Sequence, residues 1–147
     1  MMEIIRIEKT SPLLPALADY AAGCSWVAGP HIAQMLREFS FKDWEAVFAA
    51  VDDGRFAGFC TLLEYDYYPE NRYFPWISSV FVGEEFRGRR LSGLLVGAAE
   101  AHARAHGFEY AYIPSDMLGF YEAYGYEKID TLVNYGGDTD NIFRKKL

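Results

Sequence analysis

The stretch Val80-Phe81-Val82-Gly83-Glu84-Glu85-Phe86-Arg87-Gly88-Arg89-Arg90-Leu91-Ser92-Gly93 joins an apolar strand end, a turn and the start of a long helix. The helix is predicted over Leu91 to His106. Leu91, Leu94, Leu95, Ala98, Ala99 and His102 follow the three-four spacing of one face, and Gly107 closes it. Its start is unusual. The first turn of a helix leaves backbone N–H groups without partners, and that end carries partial positive charge. Ser, Thr, Asp or Asn would normally cap it, yet here Gly88 stands where a cap could stand, among Arg87, Arg89 and Arg90. Each cation is unfavourable there by about 0.3–1 kcal/mol. Glu84 and Glu85 can offset part of this. A bound phosphate offsets more, because free N–H groups and arginines then converge on one anion. Gly88 lets a backbone approach that anion, and Gly93 is expected to let the helix pack close to the sheet. No Gly-Lys-Ser/Thr follows, so the turn is not a P-loop. Its glycines also lack dinucleotide-fingerprint spacing.

Working outward, Trp76 to Val82 reads as the strand before the turn and Tyr110 to Ile113 as the strand after the helix. A strand-helix-strand passage of this kind gives a parallel pair with a right-handed crossover. Upstream, Met2 to Glu8 is a strand, Pro12 to Ala22 a helix, and a second helix begins at Pro30. Trp44 to Val51 and Phe56 to Tyr65 form a hairpin around Asp53-Gly54. Asp66 to Phe74 is a loop. Downstream, Met117 to Tyr124 is a short helix ended by Gly125. Tyr126 to Tyr135 and Ile142 to Lys146 pair around Gly136-Gly137. The expected fold is α/β: one mixed, mostly antiparallel sheet with flanking helices, residues 1–147 forming one domain.

Of the 147 residues, 51% are hydrophobic and 24% charged, the balance of a folded chain with a substantial core. A net charge of -7 disfavours nucleic acid, which needs a basic face, and favours the approach of cations. Cys24 and Cys60 have neither metal-ligand nor redox spacing and read as reduced thiols. His31, His102 and His106 also lack metal spacing, so no metal is expected. Met1 to Lys9 is too short and too charged for a signal peptide, and no apolar run approaches the ~20 residues of a membrane span. A cytoplasmic location is expected.

Val80-Phe81-Val82 followed by Arg87-Gly88-Arg89 resembles the acetyl-CoA signature of the GNAT acetyltransferase superfamily. Arg90 stands where that signature usually has Gly, and Ser92 where it has Gly or Ala. Gly119-Phe120-Tyr121-Glu122-Ala123-Tyr124-Gly125-Tyr126 resembles the family's Phe-Tyr-x-x-x-Gly-Phe segment, in the expected order. The resemblance is strong from Trp76 to Tyr126 and weaker before. It implies a sheet splayed between its parallel central strands, with acetyl-CoA as co-substrate and an amine as acceptor. Pantetheine pairs with the backbone of Val80, Phe81 and Val82 like an added strand. Pyrophosphate rests on Arg87, Gly88, Arg89, Arg90, Leu91, Ser92 and Gly93. A homodimer is the assembly left open, with no nucleic-acid or membrane partner.

Acyl transfer to an amine needs a neutral nucleophile, a polarised carbonyl and a proton for the departing thiolate. Tyr121 matches the family tyrosine that supplies that proton. Some family members carry a basic glutamate at the start of the fourth strand, but that position falls at or beside Trp76. Glu64, with its neighbour Asp66, is the alternative base, and a water chain is another. Trp26, Tyr65, Tyr67, Tyr68, Tyr73 and Trp76 are expected either to wall an acceptor pocket rimmed by Glu64, Asp66 and Glu70 or to form core plus an aromatic loop. Aromatic faces beside carboxylates suit a cationic amine. The function implied is acetyl transfer from acetyl-CoA to a primary amine. The competing reading is a non-catalytic acyl-CoA-binding or sensing module.

Overall fold

The computed structural model describes residues 1–147. Seven strands make one sheet in the order β1-β2-β3-β4-β5-β7-β6, with β1 Met2–Arg6, β2 Ala46–Asp52, β3 Arg55–Leu63, β4 Trp76–Val82, β5 Tyr110–Ser115, β6 Glu127–Val133 and β7 Thr139–Lys146. Three helices flank it: α1 Leu14–Gly23, α2 Gly29–Glu38 and α3 Leu91–Ala105. No helix is long and apolar enough to cross a membrane. All neighbouring strands are antiparallel except β4 and β5, as the crossover argument requires.

Strand alternation divides the core between the two faces of the sheet. Along β2, Val47 and Ala49 join Leu17, Ala21, Ile32 and Leu36 of α1 and α2. Ala46, Phe48 and Ala50 join Leu91, Leu95, Ala99 and Ala103 of α3 on the other face. A third cluster lies beyond β4, where Tyr68 and Trp76 pack on Leu132 and Ile142.

Asp53 and Gly54 both take positive φ (49° and 80°), the geometry that lets a two-residue hairpin follow strand twist. Two expectations are corrected. The buried face of α3 is the row Leu91, Leu95, Ala99, Ala103 with Val96, while Leu94 is 55% exposed. Met117 to Tyr124 is not a helix throughout. Gly119 at φ 89° interrupts it, and only Tyr121–Tyr124 forms a 3-10 turn. The Glu122 carboxylate accepts the Gly119 N–H at 3.0 Å, and Gly125 closes the turn in the left-handed region.

Candidate active site

The parallel strands touch at one place. Trp76 pairs with Tyr112, and Tyr112 N–H donates to the Pro75 carbonyl at 3.1 Å. Beyond that point β4 and β5 diverge, so the edge of Ile77 to Val82 facing β5 has no strand partner. Backbone polar groups inside a fold are nearly always paired. An open edge between two central strands is therefore a place for an extended ligand.

Within this fork β4 bulges. Phe59 pairs with Phe81 and Thr61 with Ser78, so β4 carries one residue more than β3 between those pairs. Ser79 sits there at φ 54°. The bulge changes which face later side chains take. Ile77 lies in the α3-side core, Phe81 in the opposite core, and Val80 and Val82 pack on the α3 side. The Phe81 side chain stacks with Trp26 and Phe59, leaving only its backbone toward the fork.

The fork runs out into the turn before α3. Backbone N–H groups from Gly88 to Gly93 donate to no acceptor in the chain, and the first α3 bond is Leu94 N–H to the Arg90 carbonyl at 3.4 Å. The cap position is Arg90 rather than Gly88, held at φ 57° without a side-chain cap. That left-handed conformation costs a non-glycine residue about 1–2 kcal/mol and accounts for the glycine usual at this place in the signature. Gly88 is at φ 80°, and a Cβ there would meet nothing. The acidic neighbours do not neutralise the turn: Glu85 pairs with Arg55 at 3.0 Å, and Arg87, Arg89 and Arg90 have no carboxylate partner. Arg87 Nε donates to the Val82 carbonyl at 3.1 Å, tying the turn to the strand end. Arg89 and Arg55 lie over the Phe86 ring at 5.5 and 5.3 Å. Gly93 serves a contact different from the one expected. A Cβ there would stand 2.5 Å from the Tyr124 ring, so this glycine seats α3 against the Tyr121–Tyr124 turn rather than the sheet. An extended chain ending in phosphates fits the unpaired edge, the free N–H groups and the unpaired arginines together.

Tyr121 is buried at 7% exposure, edge-on to Tyr126 and beside Phe143 in the α3-side core. Burial, then the nearby Cys60 and Tyr124, push its phenol up to about 12, and no hydrogen bond contributes. It stays protonated across any working pH. Beneath it, Tyr126 donates to Glu100 at 2.7 Å, and Lys145 reaches the same carboxylate at 3.2 Å.

On the acceptor side Glu64 is ion-paired, and the aromatic residues divide between core and exposed loop, the second of the two expected arrangements. Glu64 is bound by Lys42 Nζ at 2.6 Å, and that ammonium holds its carboxyl below the usual glutamate range. A carboxylate so paired is a weak proton acceptor. Trp76 is fully buried and donates from Nε1 to Asn71 Oδ1 at 2.9 Å, so it supports the core instead of walling a pocket. Tyr68 and Tyr73 also turn inward, donating to Asp140 and Asp130. Trp26 is half-buried against Phe81, with ring planes 9° apart. Tyr65 and Tyr67 remain exposed, and Tyr67 meets Tyr135 with ring centroids 5.5 Å apart.

Asp66 is different. Oδ1 accepts the Tyr67 N–H at 2.6 Å, whereas Oδ2 is buried with no partner. Burial, with a lesser contribution from Asp140, raises its carboxyl above the usual aspartate range. The Tyr67 N–H and the Ser78 hydroxyl partly offset this. Ser78 is bonded in turn by Thr61, whose Oγ1 donates to the Ser78 carbonyl at 3.1 Å. Sequence reasoning passes over Ser78 and Ser79. Two hydroxyls interrupting an apolar strand are the signal that marks them.

Residues 13–126 match the family model described as Acetyltransferase (GNAT) family. None of the curated proteins matches the chain. Among solved structures, aminoglycoside 6'-acetyltransferase type Ii superposes with TM-score 0.73 at 22% identity, over 98% of this chain and 96% of that one. The aminoglycoside 6'-N-acetyltransferase from Enterococcus faecium does so with TM-score 0.75 at 18% identity, over 98% and 96%. A GNAT family acetyltransferase from Elizabethkingia anophelis with acetyl-CoA bound gives TM-score 0.65 at 15% identity, over 99% and 98%.

Proposed function

Because the chain belongs to the acetyltransferase (GNAT) family, we propose that it transfers an acetyl group from acetyl-CoA to a primary amine of a small cationic molecule. The observation that carries this reading is the unpaired β4 edge leading into a turn of free N–H groups and uncompensated arginines. Val80, Phe81 and Val82 offer backbone groups to the pantetheine arm. The N–H groups of Gly88 to Gly93, with Arg87, Arg89 and Arg90, hold the pyrophosphate. Because the phosphates sit beyond the outer end of β4, the thioester points inward to the apex, near Ser78 and Ser79.

Chemistry then requires a free amine, which attacks the thioester carbon, forms the C–N bond and breaks the C–S bond. Tyr121 is a proton donor at every working pH and has no partner in the chain, so its hydroxyl is available to the departing sulfur. The phenol recovers its proton from the newly bonded nitrogen. A cationic acceptor is supported by the net charge of -7 and by exposed Tyr65, Tyr67 and Tyr135 near Asp66. Relatives named for aminoglycosides make those compounds a natural arm of the test.

The experiment is thiol release from acetyl-CoA with aminoglycosides, polyamines, amino acids and lysyl peptides. Turnover with a polycationic amine is expected. Binding of acetyl-CoA without turnover of any amine would favour a sensing module instead.

A further inference from the structure

The fork is flanked by different chemistry on its two faces. Tyr121 lies on the α3 side, in the core that contains Cys60 and Ile77. Thr61 follows Cys60 and Ser78 follows Ile77, so strand alternation turns their side chains to the opposite face. The Asp66 carboxyl meets β4 there, beside Ser78, two residues past the last β4–β5 pair. Resting on the acetyl-transfer reading above, we propose that Asp66 is the general base, accepting the proton of the incoming ammonium on the face of the fork opposite Tyr121.

Three observations carry the assignment. The first is the buried Oδ2, which makes no hydrogen bond of ordinary geometry, the nearby Ser78 hydroxyl being within 3.3 Å of Thr61 Oγ1 as well. A buried carboxylate oxygen normally has a donor, and one left over beside an open edge is matched by an ammonium arriving from solvent. The second is the company Asp66 keeps. Asp140 faces it from β7, but that carboxylate accepts from the Tyr68 hydroxyl at 2.8 Å and Asn134 Nδ2 at 3.1 Å. No cation is among the groups that perturb Asp66. The remaining neighbours are the Ser78 hydroxyl, the Tyr67 N–H and the phenol of Tyr68. No group of the chain balances the charge of ionised Asp66, and a cationic substrate would. The third is the fate of its neighbour in sequence, since Lys42 occupies Glu64.

The raised affinity of Asp66 for a proton suits it to the task, because a base works best with a pKa nearer the working pH. The proton balance closes. Asp66 takes one proton from the ammonium and returns it to solvent after turnover. The second passes from nitrogen to Tyr121 as Tyr121 protonates the sulfur.

The test is kcat/KM for the best acceptor of the amine panel against pH, in wild type and Asp66→Asn. At pH 7 the variant is expected to lose at least about thirtyfold, against the 10²–10⁴ typical of acid–base groups. KM for acetyl-CoA should hold. Raising pH toward the amine's own pKa should recover much of the loss, because solution then supplies the free amine. A loss below about threefold, or one equal at all pH values, overturns the assignment while wild-type turnover keeps the acetyl-transfer reading. If wild type turns over no amine, both fall together. A structural role predicts an unstable variant, whereas Asp66→Asn should melt no lower than wild type at neutral pH. The sign follows from linkage. A carboxyl raised in the folded state contributes stability that is full below the unfolded value of ~3.9 and is lost as pH rises through the folded one. Asn escapes that loss. Should the variant fail to fold, the wild-type profile still decides. An acid limb that levels off between the ordinary aspartate range and the amine's own pKa supports the base, and a profile that is flat or rises only to the amine's own pKa overturns it.

Discussion

In the proposed reaction Tyr121 is the proton donor to the departing sulfur. Its ring packs in the α3-side core while its hydroxyl has no partner, and burial lifts its pKa to about 12. Tyr121→Phe keeps the ring and removes the donor. Steady-state thiol release should show kcat lowered at least about tenfold with KM for acetyl-CoA nearly unchanged, because a hydroxyl used only as sulfur departs adds no ground-state affinity. Unchanged kcat would return Tyr121 to ordinary packing. At this scale the sequence was only partly legible. Only the surrounding motif singles Tyr121 out from 11 tyrosines, and its burial and unbonded hydroxyl are visible in the structure alone. Glu64 and Asp66 could not be told apart, because an ion pair from Lys42, distant in the chain, and burial against β4 decide their proton affinities. Pocket wall and core stayed open for Trp76 because exposure of an aromatic depends on which strands close over it.

At the scale of elements, the turn before α3 carries the binding argument. Arg87 is fastened to the end of β4 by its bond to Val82, so its charge is held where the free N–H groups converge. Acetyl-CoA should raise the melting temperature of wild type in a dose-dependent way, since a ligand bound only by the folded state stabilises it, and Arg87→Glu should abolish that rise. A full shift in the variant would remove the phosphate-turn argument. Element boundaries were largely legible. β4 runs over the predicted Trp76–Val82, and α3 ends one residue early. The α3 face was misjudged because three-four spacing in a run of Leu and Ala fits more than one stripe. Packing on a twisted sheet selects Leu91, Leu95, Ala99 and Ala103. The β4 bulge left no pattern to read, yet it decides that Ile77 and Phe81, four residues apart, take opposite faces.

On the scale of the whole molecule, β1 to β4 and β5 to β7 form two sub-sheets meeting at the Trp76–Tyr112 pair. A ligand laid between them should slow amide hydrogen exchange in residues 77–82. Peptides from β1 and β2, paired whether or not ligand is present, should change little. Exchange-mass measurements with and without coenzyme A distinguish this from surface binding, which would leave the fork unprotected.

The single pair at the apex also makes the sheet a mechanical object. Two plates share one bond line, and the α3 crossover spans them like a strap. Tension across the plates concentrates at Trp76 and Tyr112, as stress does at the tip of a crack. The heavy packing there reads as reinforcement: Trp76 is fully buried, Tyr73 stacks on Tyr112 at 4.9 Å, and the Trp76 and Tyr112 rings lie 6.1 Å apart. The opening between the plates ends at this packed pair.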